Sequence, residues 1–243
     1  MAELITSRHN PLFKRVREAL REHRDEIVIE GPKFVADAIA AGWKPIAVFH
    51  RSAVIGHRSS VDIALSAEIF DSLAETKTPQ GVIGLFKRPD DRRPMTDDPS
   101  LLVALDGVQD PGNVGTIVRL AAAFDCGGVV LLPGSADAFS SKAIRASVGA
   151  VLAVPVLNLT VDELIALGRP LFCADAHAPI AAAWPPQSRS VLVLGSEGGG
   201  VSEAIRAVAT PVAIPMTSRV ESLNVAASAA ILLSKAYEAR RGR

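Results

Sequence analysis

Glu197 is the single charged residue in a run of small ones, Leu194-Gly195-Ser196-Glu197-Gly198-Gly199-Gly200-Val201-Ser202. Glycines let a backbone approach a ligand closely, and one carboxylate set among them is aimed at whatever approaches. Two other stretches combine polar side chains and small residues in the same way. One runs Asp106-Gly107-Val108-Gln109-Asp110-Pro111-Gly112-Asn113-Val114-Gly115-Thr116-Ile117-Val118-Arg119. The other runs from Ile214-Pro215-Met216 to Glu221-Ser222-Leu223-Asn224-Val225-Ala226-Ala227-Ser228. Among their side chains, Glu197, Arg119, Asn113, Asn224 and Ser222 offer a carboxylate, a guanidinium, two amides and a hydroxyl, groups that can orient reacting partners and offset charge. The five histidines have no metal-ligand spacing, and His177, after a strand-like run, reads as structural.

Each residue also has an ordinary explanation. The glycine run could be a flexible strand–helix turn; its spacing is not G-x-G-x-x-G, and the first stretch lacks the Lys-Ser/Thr of a phosphate loop. Asn113 and Ser222 stand where helices begin, and Asn and Ser are routine caps there. Arg119 could be a solvated residue of an amphipathic helix, although its neighbours are apolar and helical side chains lean back toward the N-terminal end. The three stretches gain weight together. Each begins where an apolar, β-branched run ends and leads into a helical pattern, and open α/β sheets bind ligands outside the carboxyl ends of their strands.

The elements that must position these residues alternate along the second part of the chain. Strands are expected at 101–105, 128–132, 171–174, 191–194 and 211–215, with a weaker one near 151–157. Helices are expected near 113–125, 141–148, 161–168, 202–209 and 222–240. Such alternation implies a parallel sheet covered on both faces. The charged, proline-containing segment from Lys87 to Pro99 has no apolar periodicity and reads as a linker. Before it lies a smaller α/β pattern: a helix over 10–23, a strand at 27–29, a helix opened by Gly31-Pro32 and stopped by Gly42, a strand at 45–49, a short helix capped by Ser66, and a strand at 81–86. The division is therefore 1–88, a linker at 89–99, and 100–243.

With 243 residues, 49% of them hydrophobic and 5% aromatic, the chain can bury a core made mostly of Ala, Val, Leu and Ile. Formal net charge is zero, so the whole chain makes no electrostatic case for nucleic acid, although a local patch can bind it. The ends are more basic. Residues 1–24 carry six Lys or Arg against three Glu, and the chain closes on Arg240-Arg241-Gly242-Arg243. Those runs are either solvated faces with a frayed end or an RNA contact. Cys126 and Cys173 both sit in apolar runs, which fits reduced thiols in a reducing compartment. No apolar run reaches the roughly 18–20 residues of a membrane span, and there is no signal-peptide core. The expectation is a cytoplasmic protein.

The three stretches together resemble the motifs of the SpoU (TrmH-like) branch of the SPOUT RNA methyltransferases, and the resemblance covers nearly the whole chain. Asn113 and Arg119 fall on the Asn and Arg of the first motif, Gly195-Ser196-Glu197-Gly198 on the second, and Ile214-Pro215-Met216 with Ser222-Leu223-Asn224-Val225-Ala226 on the third. Ser141–Ala150 is similar to the family's linking segment. Glu30-Gly31 and Thr78-Pro79-Gln80-Gly81 resemble its small, ribosomal-protein-like substrate-binding domain. The resemblance implies a C-terminal parallel-sheet α/β domain with a trefoil knot, an exception to the rule that chains do not thread loops. It also implies a homodimer with sites near the subunit interface.

The implied activity is transfer of a methyl group from S-adenosyl-L-methionine to a ribose 2′-hydroxyl, in ribosomal RNA ahead of transfer RNA, without a metal. Gly195, Ser196, Glu197, Ile214, Met216, Ser222, Leu223 and Asn224 would form the cofactor side, and Asn113, Arg119, Glu197, Ser222 and Asn224 the catalytic set. A guanidinium is effectively always protonated. Arg119 therefore reads as a ligand for the phosphate beside the target ribose, with a phosphate oxygen or water taking the proton. Arg8, Asn10, Lys14, Arg15, Lys142 and Arg145 are the candidate RNA contacts. The competing readings are a non-catalytic RNA-binding or ribosome-assembly protein on the same scaffold, which the intact motif residues disfavour, and a nucleotide-binding oxidoreductase, disfavoured by the missing dinucleotide fingerprint.

Overall fold

The structure is a computed structural model and describes residues 4–22, 25–52, 61–89, 101–176, 178, 184 and 189–241. All of the linker expected at 89–99 except Pro89 lies outside the described residues, and so does His177. The chain divides into two compact units, Met1–Asp90 with Phe139–Ile144, and Asp91–Ala138 with Arg145–Arg243.

In the first unit β1 (Leu4–Ile5) precedes α1 (Pro11–Glu22), β2 (Glu26–Glu30), α2 (Pro32–Ala40), β3 (Pro45–Arg51), β4 (Asp62–Leu65), α3 (Ala67–Asp71) and β5 (Val82–Lys87). The sheet order is β1-β4-β3-β5-β2. β1, β4 and β3 run parallel, and β5 is antiparallel to both β3 and β2. β1 and β4 have two and four residues, too short to betray a period, and they were not legible in the sequence. α1 buries Phe13, Val16 and Ala19, one helical face at three-residue spacing. Asn10 starts it, its Oδ1 accepting from the Leu12 N–H at 2.8 Å. Gly31, at φ 109°, leads into Pro32 at the first turn of α2, a backbone conformation that side-chain-bearing residues seldom adopt. Phe139, far along the chain, stacks on Trp43 at 5.9 Å between ring centroids, and Arg88 lies over its ring at 4.7 Å. The first unit therefore includes a piece of chain that the sequence boundaries assign to 100–243.

The second unit contains β6 (Leu102–Asp106), α4 (Pro111–Ala123), β7 (Gly128–Leu131), α5 (Ser141–Ala146, whose start belongs to the first unit), β8 (Val156–Asn158), α6 (Val161–Ala166), β9 (Leu171–Ala174), β10 (Val191–Gly195), α7 (Glu203–Arg206), β11 (Thr210–Val212) and α8 (Val225–Arg241). Its six strands are ordered β11-β9-β10-β6-β7-β8, every neighbouring pair parallel. β6 is buried along its whole length and β10 except at its last residue. This is why both read as unbroken apolar runs: helices cover both faces of a parallel sheet.

Four elements depart from the sequence expectation by three residues or more; the other differences are of one or two residues. The strand expected near 151–157 is a 3₁₀ turn at Ala150–Leu152 followed by a strand of only three residues. The helix expected at 202–209 shrinks to one turn, Glu203–Arg206. The strand expected at 211–215 ends at Val212, because Ile214-Pro215 leaves the sheet, proline having no N–H to donate. The last helix begins at Val225 rather than 222, and residues 213–224 lie outside any helix or strand.

Candidate active site

The first stretch leaves β6 at Asp106 and turns at Gly107, whose N–H donates to Ser135 Oγ at 3.1 Å while that hydroxyl donates to the Leu105 carbonyl at 2.8 Å. Asp110, not Asn113, caps α4: its carboxylate accepts from the Asn113 N–H at 3.0 Å, with Pro111 in the first turn. Relieved of capping, the Asn113 side chain donates through Nδ2 to Glu197 Oε1 at 2.6 Å. Arg119 lies on the exposed side of α4, opposite buried Val114, Ile117, Val118 and Ala121, and makes no hydrogen bond or ion pair with the described residues.

The second stretch folds straight back on itself. Ser196 and Gly200 exchange two backbone hydrogen bonds of 3.0 Å. This return passes so close to Gly195 that a Cβ there would stand 2.0 Å from the Gly200 carbonyl carbon, so only glycine fits. Asp106, buried at the end of β6, anchors the turn's exit by accepting from the Ser202 N–H at 2.7 Å. The loop that presents Glu197 is thus held at both ends.

In the third stretch Asn224 caps α8, its Oδ1 accepting from the N–H groups of Ala226 at 2.9 Å and Ala227 at 3.3 Å. Its Nδ2 donates to Asn113 Oδ1 at 3.3 Å. Ser222 does not cap the helix; it sits in the loop before it.

A cleft of about 360 Å³ opens beside this chain of hydrogen bonds, at the carboxyl ends of β9, β10 and β11. Gly195, Ser196, Glu197, Ile214, Met216, Ser222 and Leu223 all line it, whereas Asn113, Arg119 and Asn224 do not. Asn113 and Asn224 reach it through Glu197, and Arg119 stands apart. Two further lining residues, Asp175 and Arg206, were not singled out from the sequence. Arg206 Nη1 donates to Asp175 Oδ2 at 2.9 Å, bridging the strand end of β9 and the helix that follows the glycine turn. A signal existed: Asp175 follows the apolar run Leu171–Ala174 as Asp106 closes its own.

The candidate RNA residues have varied surroundings. Lys14 is exposed on α1, and Arg8 makes an exposed ion pair with Glu68 at 3.8 Å. Arg15 is engaged by Glu26, Nε donating to both carboxylate oxygens at 2.9 Å, and its pKa is raised first by that hydrogen bonding. Asn10 is spent on the α1 cap. Lys142 is exposed on α5 and Arg145 half-buried. Among the described residues no cluster of three or more His, Cys, Asp or Glu could hold a metal ion, and no helix is long and apolar enough to cross a membrane.

Residues 100–234 match the SpoU rRNA Methylase family, and residues 12–84 match the MRM3-like substrate binding domain. A 23S rRNA (guanosine(2553)-2′-O)-methyltransferase of Bacillus subtilis, RlmP, is 37% identical over 70% of this chain and 69% of its own length. An uncharacterized tRNA/rRNA methyltransferase of Synechocystis is 30% identical over 98% of this chain and 93% of its own. Among solved structures, an AdoMet-bound rRNA methyltransferase from Sinorhizobium meliloti superposes with a TM-score of 0.85 at 27% identity, covering 98% of both chains.

Proposed function

This chain belongs to the SpoU rRNA methylase family, and we propose that it transfers a methyl group from S-adenosylmethionine to a ribose 2′-hydroxyl of ribosomal RNA. The observation that carries the reading is the chain of hydrogen bonds Asn224–Asn113–Glu197, which joins all three motif stretches at the lip of one cleft.

The cleft suits the cofactor. Its volume of about 360 Å³ falls within the ~300–1,000 Å³ of small-molecule sites. Leu194, Ile214 and Leu223 supply apolar walls, and the strand ends supply backbone donors and acceptors. The charged lining groups are Asp175, Glu197, Glu221 and Arg206, a balance that favours a cation. When bound, S-adenosylmethionine supplies an electrophilic methyl group on a sulfonium. Gly195 allows backbone close to that ligand, and Ser222 and Leu223 flank it. Arg119 holds the phosphate beside the target ribose, placing the hydroxyl near the methyl group and offsetting charge that develops on oxygen.

The division of labour follows the sequence boundaries. Residues 1–88 hold RNA through Arg8, Lys14 and neighbouring basic groups, 89–99 connect, and 100–243 carry the chemistry together with the trefoil knot that the resemblance implies. Lys142 and Arg145 add to the RNA contact. The assembly is a homodimer in the cytoplasm; the exposed apolar side chains of Met216, Val220 and Leu223 support a surface that another subunit covers. Calorimetry with S-adenosylmethionine, followed by methyl transfer to ribosomal RNA from cells lacking the gene, tests the reading. No heat and no transfer would overturn it. Light scattering that returns only the monomer mass would overturn the dimer.

A further inference from the structure

We infer that the first unit carries a site that reads an unpaired RNA base, built from Phe34 on α2 and Gln80 in the loop before β5; the inference rests on the reading that residues 1–88 hold RNA. The juxtaposition around Gly31 carries it. A Cβ placed on Gly31 would stand 3.5 Å from Gln80 Oε1 and 3.6 Å from Phe34 Cδ2, ordinary contact distances. A side-chain amide and the edge of an aromatic ring therefore flank one bare Cα. At φ 109° that position favours glycine, so nothing grows into the space between them. Gln80 is exposed and Phe34 half-buried.

The loop that presents Gln80 is held by groups other than its own. Glu30, at the end of β2, accepts from the N–H of Glu75 at 3.0 Å, from that of Thr76 at 3.3 Å, and from the Thr76 hydroxyl. Charge-assisted bonds of this kind are among the strong ones. At the other end Gly81, at φ 80°, offers its carbonyl to the Arg51 N–H at 2.9 Å. Between them Pro79 fixes one more backbone dihedral. The exposed side chains of Lys77, Thr78 and Gln80 make no hydrogen bond or ion pair with the described residues. A loop fixed by its neighbours, while its own polar groups serve nothing in the fold, is arranged for a partner.

The chemistry selects a base. An amide shows a donor and an acceptor side by side, a pattern that base edges match, and aromatic rings stack on bases that have left a helix. Base edges inside an A-form duplex lie in a groove too deep and narrow for side chains to read, so the base is an unpaired one. Lys77 gives the loop a cation for the phosphate beside that base. The face of α1 differs. Lys14, Arg17 and Arg21 are exposed there at three- and four-residue spacing, with no exposed aromatic or amide on the helix, which suits phosphates of any sequence. One unit thus holds the strand with α1 and reads it beside Gly31.

Filter binding with the full chain over a salt series tests this, using ribosomal RNA from cells lacking the gene and a random-sequence RNA of similar length. Wild type should prefer the ribosomal RNA. Gln80→Ala should cut that preference about 5- to 150-fold, the range for losing one two-point base contact, with its salt dependence and melting temperature unchanged. Phe34→Leu, which keeps an apolar side chain but no ring, should cut the preference too. The preference is a ratio, so a fraction of unfolded protein does not move it. Lys14→Ala should instead weaken both RNAs alike and flatten the salt dependence. Unchanged preference in either the Gln80 or the Phe34 variant, an equal loss on both RNAs, a melting temperature of the Gln80 variant that falls with its preference, or a wild type with no preference overturns the base-reading site. A wild type that binds neither RNA overturns the underlying reading instead.

Discussion

The side chain of Asn113, in the first turn of α4, donates to Glu197 in the loop after β10 at 2.6 Å across 84 residues of sequence. It can do so because Asp110 takes over the cap of α4. Capping by Asn113 itself, the ordinary expectation for an Asn at a helix start, would tie up the carbonyl that Asn224 uses. The turn Asp110-Pro111-Gly112-Asn113 thus assigns helix termination to one residue and the link between motifs to another.

Asn224→Ala should act twice. Loss of a cap on α8 should cost about 0.5–2 kcal/mol, read as a lower melting temperature. Loss of the donor to Asn113 should also loosen Glu197 and weaken cofactor binding or turnover. Wild type with S-adenosylmethionine at 100 times Kd should gain about 2.7 kcal/mol, and the variant less at the same concentration. A variant with lowered stability but wild-type cofactor affinity and rate would confine Asn224 to capping.

Arg119 is exposed on α4. As a phosphate ligand, Arg119→Ala should lower single-turnover transfer by about 10²–10³-fold while leaving cofactor affinity unchanged. Arg119→Lys should not restore the rate, since an ammonium lacks the bidentate fork. As a solvated surface residue it would cost under about 0.5 kcal/mol of stability and nothing in rate. A fully active Ala variant would remove Arg119 from the site.

The strands of the second sheet were legible because β6 and β10 are buried on both sides, and their ends were marked by Asp106 and Gly195. The three motif stretches were legible as polar interruptions after those strands. What sequence could not show was partnership over distance. Asn113 looks like a cap, and only the neighbouring Asp110 decides otherwise. Ser222 looks like the cap of the last helix, and only the start at Val225 gives that role to Asn224. Asp175 and Arg206 lie in different elements with no shared pattern. The basic end of the chain was open between a frayed terminus and an RNA contact. In the structure Arg240 is tied back to the fold: it donates to the carbonyls of Phe124 at 2.6 Å and Asp125 at 3.1 Å, after the last turn of α4.

That contact predicts a stability effect. Carbonyls at a helix end lack intrahelical partners, and a charged donor to them is worth about 1.5–3 kcal/mol when buried, less here because Arg240 is partly exposed. Arg240→Met should lower stability by about 1 kcal/mol in urea unfolding without changing cofactor affinity. An unchanged midpoint would return Arg240 to the solvated end.

Burial pushes the Cys126 thiol up to about 12 from its ordinary value of 9.0. The folded state therefore holds this proton more tightly than the unfolded chain. Its contribution is fully present below the unfolded pKa and is lost as pH rises from there toward the folded value. Wild-type protein should lose stability between pH 9 and 11 more steeply than Cys126→Ala. At pH 8 the native thiol should react with iodoacetamide far more slowly than the same chain in denaturant. Equal alkaline slopes in the two proteins would count against a buried neutral thiol.

The last prediction concerns where the chain can be cut. A fragment beginning at Pro99 carries all three motif stretches and every residue lining the cleft, so it should bind S-adenosylmethionine nearly as the full chain does. It lacks α1 with Lys14 and Arg17, and so should bind ribosomal RNA at least about tenfold more weakly. Its binding should also depend less steeply on salt, because a fragment that neutralises fewer phosphates releases fewer counterions. The fragment keeps Phe139, which is 3% exposed in the full chain, but loses Trp43 and Arg88, which pack on it. The bare ring should make the fragment prone to association, and Phe139→Ser in the fragment should relieve this without altering cofactor affinity. Light scattering reads the association, calorimetry the cofactor, and filter binding over a salt series the RNA. A fragment that binds RNA as tightly as the full chain would place recognition in residues 100–243 instead.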